Sequence, residues 1–352
     1  MAPRVDYDAR AVSVPSREAA AARLDPRADR RVWLSFIGLA LAWGSSFVFI
    51  KTALTDGMEP LTLVAYRLGI GTAFLLVLLR LSGGSLPRDR DALRRAATLA
   101  VLNIAIPFAF ITWGVQHIPS AVGAMFNGTV PLFSIVLAAL VLPDEPITVG
   151  RLGGLLLGFG GALVLVSPNL AAGGGTEDPT LVLLGELAVI AGSIGYAAGY
   201  VYARRSITGR ALITRPDGSM RVGTPLEISA IQSVLAFPMM LALALLLERP
   251  DGGLLALPPT PAAWGSVIWL GLVGSGIAYL FFFRLVRAWG AMRSSLVTYV
   301  IPVVGIALGV ILLGDTLEPA ELAGAALVIS GVVIANGTRG RRRLFGRGRP
   351  AV

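Results

Sequence analysis

The chain has 352 residues, 55% hydrophobic and 14% charged, with a formal net charge of +9 and a mean hydropathy of +0.74. A soluble domain carries about 25% charged residues to solvate its surface, so this composition reads as an all-α integral membrane protein. The absence of cysteine excludes disulfides, thiolate catalysis and Cys-based metal centres, and with one histidine neither a His-based metal centre nor a cofactor is expected.

Residues 1–31 are polar, with seven arginines, and lack the short apolar core and small-residue cleavage site of a signal peptide. They are expected to form a disordered cytoplasmic tail. A hydrocarbon core of about 30 Å needs ~20 apolar residues per helix. Segments of that kind follow at 32–54, 60–80, 96–116, 120–141, 149–167, 180–203, 225–247, 262–283, 294–313 and 319–336, which predicts ten transmembrane helices. Most connections are short and carry Pro, Gly or Asp, as in TDGMEP, LPDEP and LGDTLEP.

Cytoplasmic loops collect Lys and Arg. With the N-terminus inside, the tails and inner loops hold 27 of the 30 basic residues, and the outer loops hold only Arg249. The remaining two, Lys51 and Arg67, fall inside predicted helices, and Lys51 is the single lysine of the chain. Both termini are therefore expected in the cytoplasm of a bacterial cell, with a basic inner face against anionic lipid. Nucleic acid is not needed as a partner.

The two halves resemble each other. Adding 171 aligns Pro131 with Pro302, Asp144 with Asp315, Gly153 with Gly324 and Gly160 with Gly331. Earlier in the halves, Pro60 meets Pro225 at an offset of 165, and Lys51 meets Arg204 at 153. Five helices per half is an odd number, so the second half enters the membrane from the opposite side. The expected architecture is two inverted five-helix repeats, an arrangement that builds alternating access around a midplane site. The organisation is a tail at 1–31, a first repeat at 32–167, an outer linker at 168–179, a second repeat at 180–336 and a basic cytoplasmic tail at 337–352.

With Trp43, Gly44, Ser45, Phe47 and Lys51 in the first helix, Pro60 and Arg67 in the second, and Pro131–LPDEP and Pro302–LGDTL closing the repeats, the chain resembles the drug/metabolite transporter superfamily, EamA type. Thr316 stands where that family usually has glutamate. The resemblance implies a transporter, and family members include exporters of amino acids and related metabolites.

Arg67 lies seven residues past Pro60, about 10 Å into the membrane, where a charge is a functional candidate unless structurally paired. Its repeat counterpart is Gln232, so the cavity between the halves would be asymmetric and suited to an anionic group such as a carboxylate. Lys51, near the outer end of the first helix, either snorkels to the interface or attracts an anion. Trp43 and Tyr196 correspond at the offset of 153 and are expected to line the cavity. Asn127 and Gln232 are the preferred hydrogen-bonding candidates, because a buried amide needs partners. Glu186 is the candidate proton-coupling carboxylate, with an ion pair to Arg67 or Lys51, or a place at the outer interface, as the other readings. Pro131 and Pro302 are expected to kink helices four and nine, and GxxxG spacings at Gly154/Gly158, Gly195/Gly199 and Gly305/Gly309 to allow close packing. No phosphate-binding Gly-Lys-Ser/Thr loop is present.

The leading function is a secondary transporter exporting small metabolites such as amino acids or related amphiphilic compounds, with membrane lipid around it and a homodimer left open. A lipid flippase on the same fold and a membrane-embedded lipid-modifying enzyme are the alternatives. The last would need clustered acids, histidines or cysteines, of which the inner loops offer only Asp144–Glu145 and scattered acids.

Overall fold

The structure, a computed structural model, describes residues 26–142, 148–171, 178–215, 217–249, 253–289 and 297–337. Asp144, Glu145, Arg293, the linker residues 172–177 and the tails at 1–25 and 338–352 lie outside the described residues. The helices are α1 Pro26–Gly44, α2 Ser46–Thr55, α3 Pro60–Leu81, α4 Arg90–Ala100, α5 Ile106–His117, α6 Ser120–Asn127, α7 Val130–Val141, α8 Val149–Ala171, α9 Pro179–Ser206, α10 Pro225–Glu248, α11 Pro261–Trp269, α12 Ala278–Trp289, α13 Val297–Leu308 and α14 Pro319–Gly337. Two short strands, β1 Ala211–Thr214 and β2 Met220–Val222, form an antiparallel hairpin inside a loop that the sequence had shown only as basic.

Among the described residues, seven segments are long and apolar enough to cross a membrane: Arg30–Thr55, Pro60–Leu81, Arg90–His117, Ser120–Val141, Pro179–Ser206, Pro225–Glu248 and Pro261–Leu285. The other three expected spans coincide with shorter apolar helices, Val149–Leu165, Val300–Leu313 and Pro319–Ile334. The helices that carry the first and last of these, α8 and α14, run for 23 and 19 residues, which at 1.5 Å per residue rise about 34 and 28 Å, comparable with the ~30 Å core. Leu81, Leu140, Leu163 and Ile311 are among the many apolar side chains left exposed on the outside, a surface that lipid and not water can cover.

Local chemistry sets the helix starts. Asp89, Asp178, Thr224 and Thr260 accept from backbone N–H groups of the first turns of α4, α9, α10 and α11, and Pro stands at the first position of α3, α9, α10, α11 and α14. At α3 the cap comes from another helix: the Glu248 carboxylate accepts from Leu61 N, Thr62 N and Thr62 Oγ1, each at 2.7 Å. This contact and one between Thr260 and Asp56 gather residues 56–62 and 248–260 at one end of the bundle. At the other end, Glu227 takes the forked guanidinium of Arg221 at 2.6 and 2.7 Å, Thr224 N at 2.9 Å and Ser85 N at 3.0 Å. Arg95 donates to Ala211 O at 3.0 Å. The hairpin is thereby tied to the loop before α4 and to the start of α10. At its tip, hydrogen bonds from Ser219 hold the Asp217 carboxyl below the usual carboxylate range.

Several spans are irregular in their middles. The first turns at Gly44–Ser45, and the fourth breaks at Gly128–Thr129, with Pro131 second in α7. Π-helical stretches occur at Val101–Ala105, Leu270–Ile277 and Gly309–Leu313. Pro302 lies inside α13, and its ring packs on Gly128, where an added Cβ would come within 3.0 Å of Pro302 Cγ. Such discontinuities persist at membrane depth only where protein or a cavity satisfies the freed backbone groups.

α8 and α14 form a backbone-to-backbone contact. A Cβ added at Gly331 would lie 2.5 Å from both Gly154 O and Gly158 N, whereas one at Gly153 would meet nothing within 4 Å. The two glycines therefore differ in what they can tolerate. Gly331→Ala is expected to cost about 1–3 kcal/mol by forcing the helices apart, and Gly153→Ala to stay within about 0.5 kcal/mol. Thermal unfolding of the detergent-solubilised variants checks both.

Candidate functional site

Three of the interruptions, at Gly44–Ser45, Gly128–Thr129 and Pro302, flank one narrow cavity of about 40 Å³. Its lining comes in pairs that flank them: Trp43 and Ser46 around the Gly44–Ser45 turn, Asn127 and Val130 around the Gly128–Thr129 break, and Thr298 and Ile301 just before Pro302. Arg67, Phe108, Tyr196 and Tyr200 complete its polar and aromatic wall. Four of the six expected substrate residues, Trp43, Arg67, Asn127 and Tyr196, thus meet in one place; Lys51 and Gln232 are not part of the lining.

Arg67 is 4% exposed. Its Nε donates to Ser275 Oγ at 2.8 Å, and its guanidinium carbon lies 3.9 Å from the centroid of the Phe108 ring. No carboxylate lies within ion-pair distance of it among the described residues. The cation is held by a hydroxyl and a ring face, neither of which cancels its charge. Ser275 stands in the π-helical stretch 270–277, whose Gly274 carbonyl also accepts from Trp43 Nε1 at 3.2 Å. That stretch therefore orients two residues of the site, and π-helical turns often mark functional positions.

Beyond Trp43 the wall continues as an aromatic layer. Trp43 meets Tyr279 edge-on at 6.0 Å and Phe282 at 5.6 Å, and Tyr200 stacks on Phe282 at 5.5 Å. Tyr196 lies 6.2 Å from Tyr200 and 6.5 Å from Phe108. The lining also has an aliphatic part, Ile50, Ile111 and Ile301. Asn127 is 8% exposed, and its Oδ1 is buried without a hydrogen-bond partner.

Lys51 has a different setting. Its Nζ donates to the carbonyls of Val115, Gln116 and Ile118 at 3.1–3.2 Å, the C-terminal end of α5. Two residues on, Asp315 Oδ2 accepts from Ser120 Oγ at 2.8 Å and Ala121 N at 2.9 Å, the N-terminal end of α6. The turn at Ile118–Pro119 is thus held by a cation at the negative pole of one helix and an anion at the positive pole of the next, both favourable to the helix dipoles. Asp315 belongs to the LGDTL motif, which here works as a helix cap across the bundle.

Gln232 is fully buried on α10, and its Oε1 accepts from Asn103 Nδ2 at 3.1 Å. Asn103 O in turn accepts from Tyr279 Oη at 3.2 Å. Gln232→Ala is expected to cost about 1–2 kcal/mol of stability by leaving the Asn103 amide without this partner, with little change in the concentration giving half-maximal transport. Unfolding and transport measured on the same preparation separate the two effects. Glu186 is fully buried on α9 and does not line the cavity.

Ser46, Thr112, Thr298 and Ser275 escaped the sequence reading, because a single hydroxyl in an apolar helix carries no pattern. Tyr200 had a usable signal: it stands four residues after Tyr196 and so shares its helix face.

A second concavity of about 700 Å³ opens on the side of the bundle between α3, α5, α9 and α10, walled by exposed Phe110, Leu184, Leu187 and Leu247, with Glu59 and Glu248 at its rim.

Comparison with known proteins places these features in a lineage. The EamA-like transporter family matches residues 31–167 and 183–337. The "Uncharacterized inner membrane transporter YedA" of Escherichia coli (strain K12) is 29% identical over 303 residues, spanning 85% of this chain and 89% of its own. The "Probable terminal-alkyne amino-acid exporter" of Streptantibioticus cattleyicolor is 27% identical over 316 residues, spanning 90% of this chain and 96% of its own. A solved structure described as "Crystal structure of protein" is similar in fold, with a TM-score of 0.58 over 87% of this chain and 96% of that one at 20% identity.

Proposed function

The chain belongs to the EamA-like transporter family, and from that premise we propose that it is a secondary transporter, and not an enzyme, exporting a small amphiphilic metabolite of the amino-acid kind. The observation that carries the ligand chemistry is Arg67, a buried guanidinium in a cavity with no carboxylate beside it. A buried charge without a counter-charge is strongly unfavourable, and a bound carboxylate would supply one with charge-assisted hydrogen bonds.

Ten crossings in two inverted repeats, 32–167 and 180–336, are the proposed frame, with both tails cytoplasmic, the linker at 168–179 outside and the protein in the cytoplasmic membrane. Packing favours this arrangement. α3 lies on α10 and α8 on α14, while α1 against α12 and α13 is answered by α9 against α5 and α7; these pairs exchange when the halves are swapped. The arginines favour the orientation. Arg88, Arg95, Arg205, Arg210 and Arg221 gather at the end that holds the hairpin, and Arg249 lies at the opposite end.

In the mechanism, the halves rock about the breaks near Pro131 and Pro302, opening the cavity to one side and then the other. A volume of about 40 Å³ admits roughly three waters, which suits an occluded conformer between the two open ones. Glu186 is the proposed coupling carboxylate. Efflux of a labelled panel of amino acids and their hydroxy- and N-acyl-acid analogues from proteoliposomes, with and without an imposed pH gradient, tests the proposal; selective flux is expected, and none for any solute sinks it. A lipid-flippase reading is favoured only by the lateral groove, which does not contain Arg67.

A further inference from the structure

We infer that the central cavity selects an organic monoanion with an apolar or aromatic body and a neutral hydrogen-bond donor, and discriminates against the free amino-acid zwitterion of the same shape. The inference rests on the transporter reading above and narrows its substrate class. Among the described residues that line the cavity, Arg67 is the single charged one and none is acidic. The other polar groups there, on Trp43, Ser46, Thr112, Asn127, Tyr196, Tyr200 and Thr298, are neutral.

A carboxylate held by Arg67 brings its own α-substituent within about 6 Å of the guanidinium. If that substituent is an ammonium, two positive charges share a space closed to bulk water, where their repulsion is far stronger than in solution. No acid in the lining offsets it, and a buried ammonium without a counter-charge is unfavourable. The ring faces of Trp43 and Tyr196, which also line the cavity, attract a cation but do not neutralise it. Phe108 already carries the Arg67 guanidinium, and Tyr200 has one face stacked on Phe282.

Asn127 supplies the other half of the selection. Its Oδ1 is buried, has no hydrogen-bond partner and belongs to a lining residue, so it wants an N–H or O–H donor. A hydroxyl or amide N–H on the ligand satisfies it without adding charge. The aliphatic part of the lining, with Ile50, Ile111 and Ile301, takes the apolar body. The ligand so described is a hydroxy- or acylamino-carboxylate.

The test uses the full-length protein in proteoliposomes and probes that share one skeleton: 3-phenyllactate, phenylalanine, phenylalaninamide and 3-phenylpropionate, with the matching leucine series beside them. Exchange of the hydroxy acid is expected to exceed that of the amino acid at least about tenfold, and the cationic amide to stay at background. Asn127→Ala is expected to lower phenyllactate exchange to the level of phenylpropionate, which has no donor to lose. Phenylalanine or its amide moving as fast as phenyllactate overturns the inference and leaves the transporter reading standing. Absence of flux for every probe in both series overturns the two together.

Discussion

Replacing Arg67 with alanine is expected to lower substrate flux at least about a hundredfold, while thermal stability stays the same or rises. The two halves of that expectation have one cause. In the native protein the guanidinium is 4% exposed and, among the described residues, keeps one hydrogen bond, to Ser275, and one ring contact, to Phe108. Removing a charge that has no counter-ion relieves a desolvation penalty, so folding loses little. A carboxylate ligand, in contrast, loses charge-assisted hydrogen bonds each worth about 1.5–3 kcal/mol, and every 1.4 kcal/mol is roughly tenfold in affinity. Arg67→Lys keeps the charge but not the planar fork or the stacking on Phe108, and should recover only part of the flux. Arg67→Gln copies the neutral amide of Gln232 and should behave like the alanine variant. Flux and unfolding temperature are measured together. An alanine variant that unfolds early yet transports normally would show Arg67 to be structural.

The second large effect is expected at the clamped turn. Lys51→Ala removes three hydrogen bonds to the carbonyls of 115, 116 and 118, and the favourable interaction of a cation with the end of α5. A loss of about 2–3 kcal/mol is expected. Arginine is a poor replacement, because a flat fork cannot converge on three carbonyls as an ammonium does. Asp315→Asn weakens the cap on Ser120 and Ala121 from the other side and should cost about 1 kcal/mol. Both act on the connection between α5 and α6, so their effects should not add in the double variant. Substrate affinity of the folded fraction should hold in each. A Lys51→Ala protein of normal stability but weakened affinity would instead put this lysine in contact with the ligand.

Lys51 also illustrates the limit of reading along the chain. Its place near the end of a predicted helix suggested snorkelling or anion attraction, and no local pattern pointed to the carbonyls of residues 115–118, more than sixty positions away. Gln232 is similar. Its amide had to find a partner in the membrane, but only packing made that partner Asn103 and turned both away from the cavity. Arg67 was legible because a charge within an apolar helix is costly wherever it points. That its companions are a hydroxyl and a phenyl ring, and not Glu186, depended on the π-helical stretch that carries Ser275.

The sequence by itself determined what is local and additive: apolar segments matched to the bilayer, their order, the crowding of arginines in alternate loops, and the kinship of the halves. Those follow from transfer energies that each residue contributes independently of its neighbours in space. Tertiary structure alone decided where the helices lose their regularity, which faces then meet, and so which four of six candidates, the Arg67 cation among them, share a cavity. That assembly depends on contacts of α1 and α3 with the 270–277 stretch and of α6 with α9, and a contact of this kind belongs to two segments at once, so neither one encodes it alone.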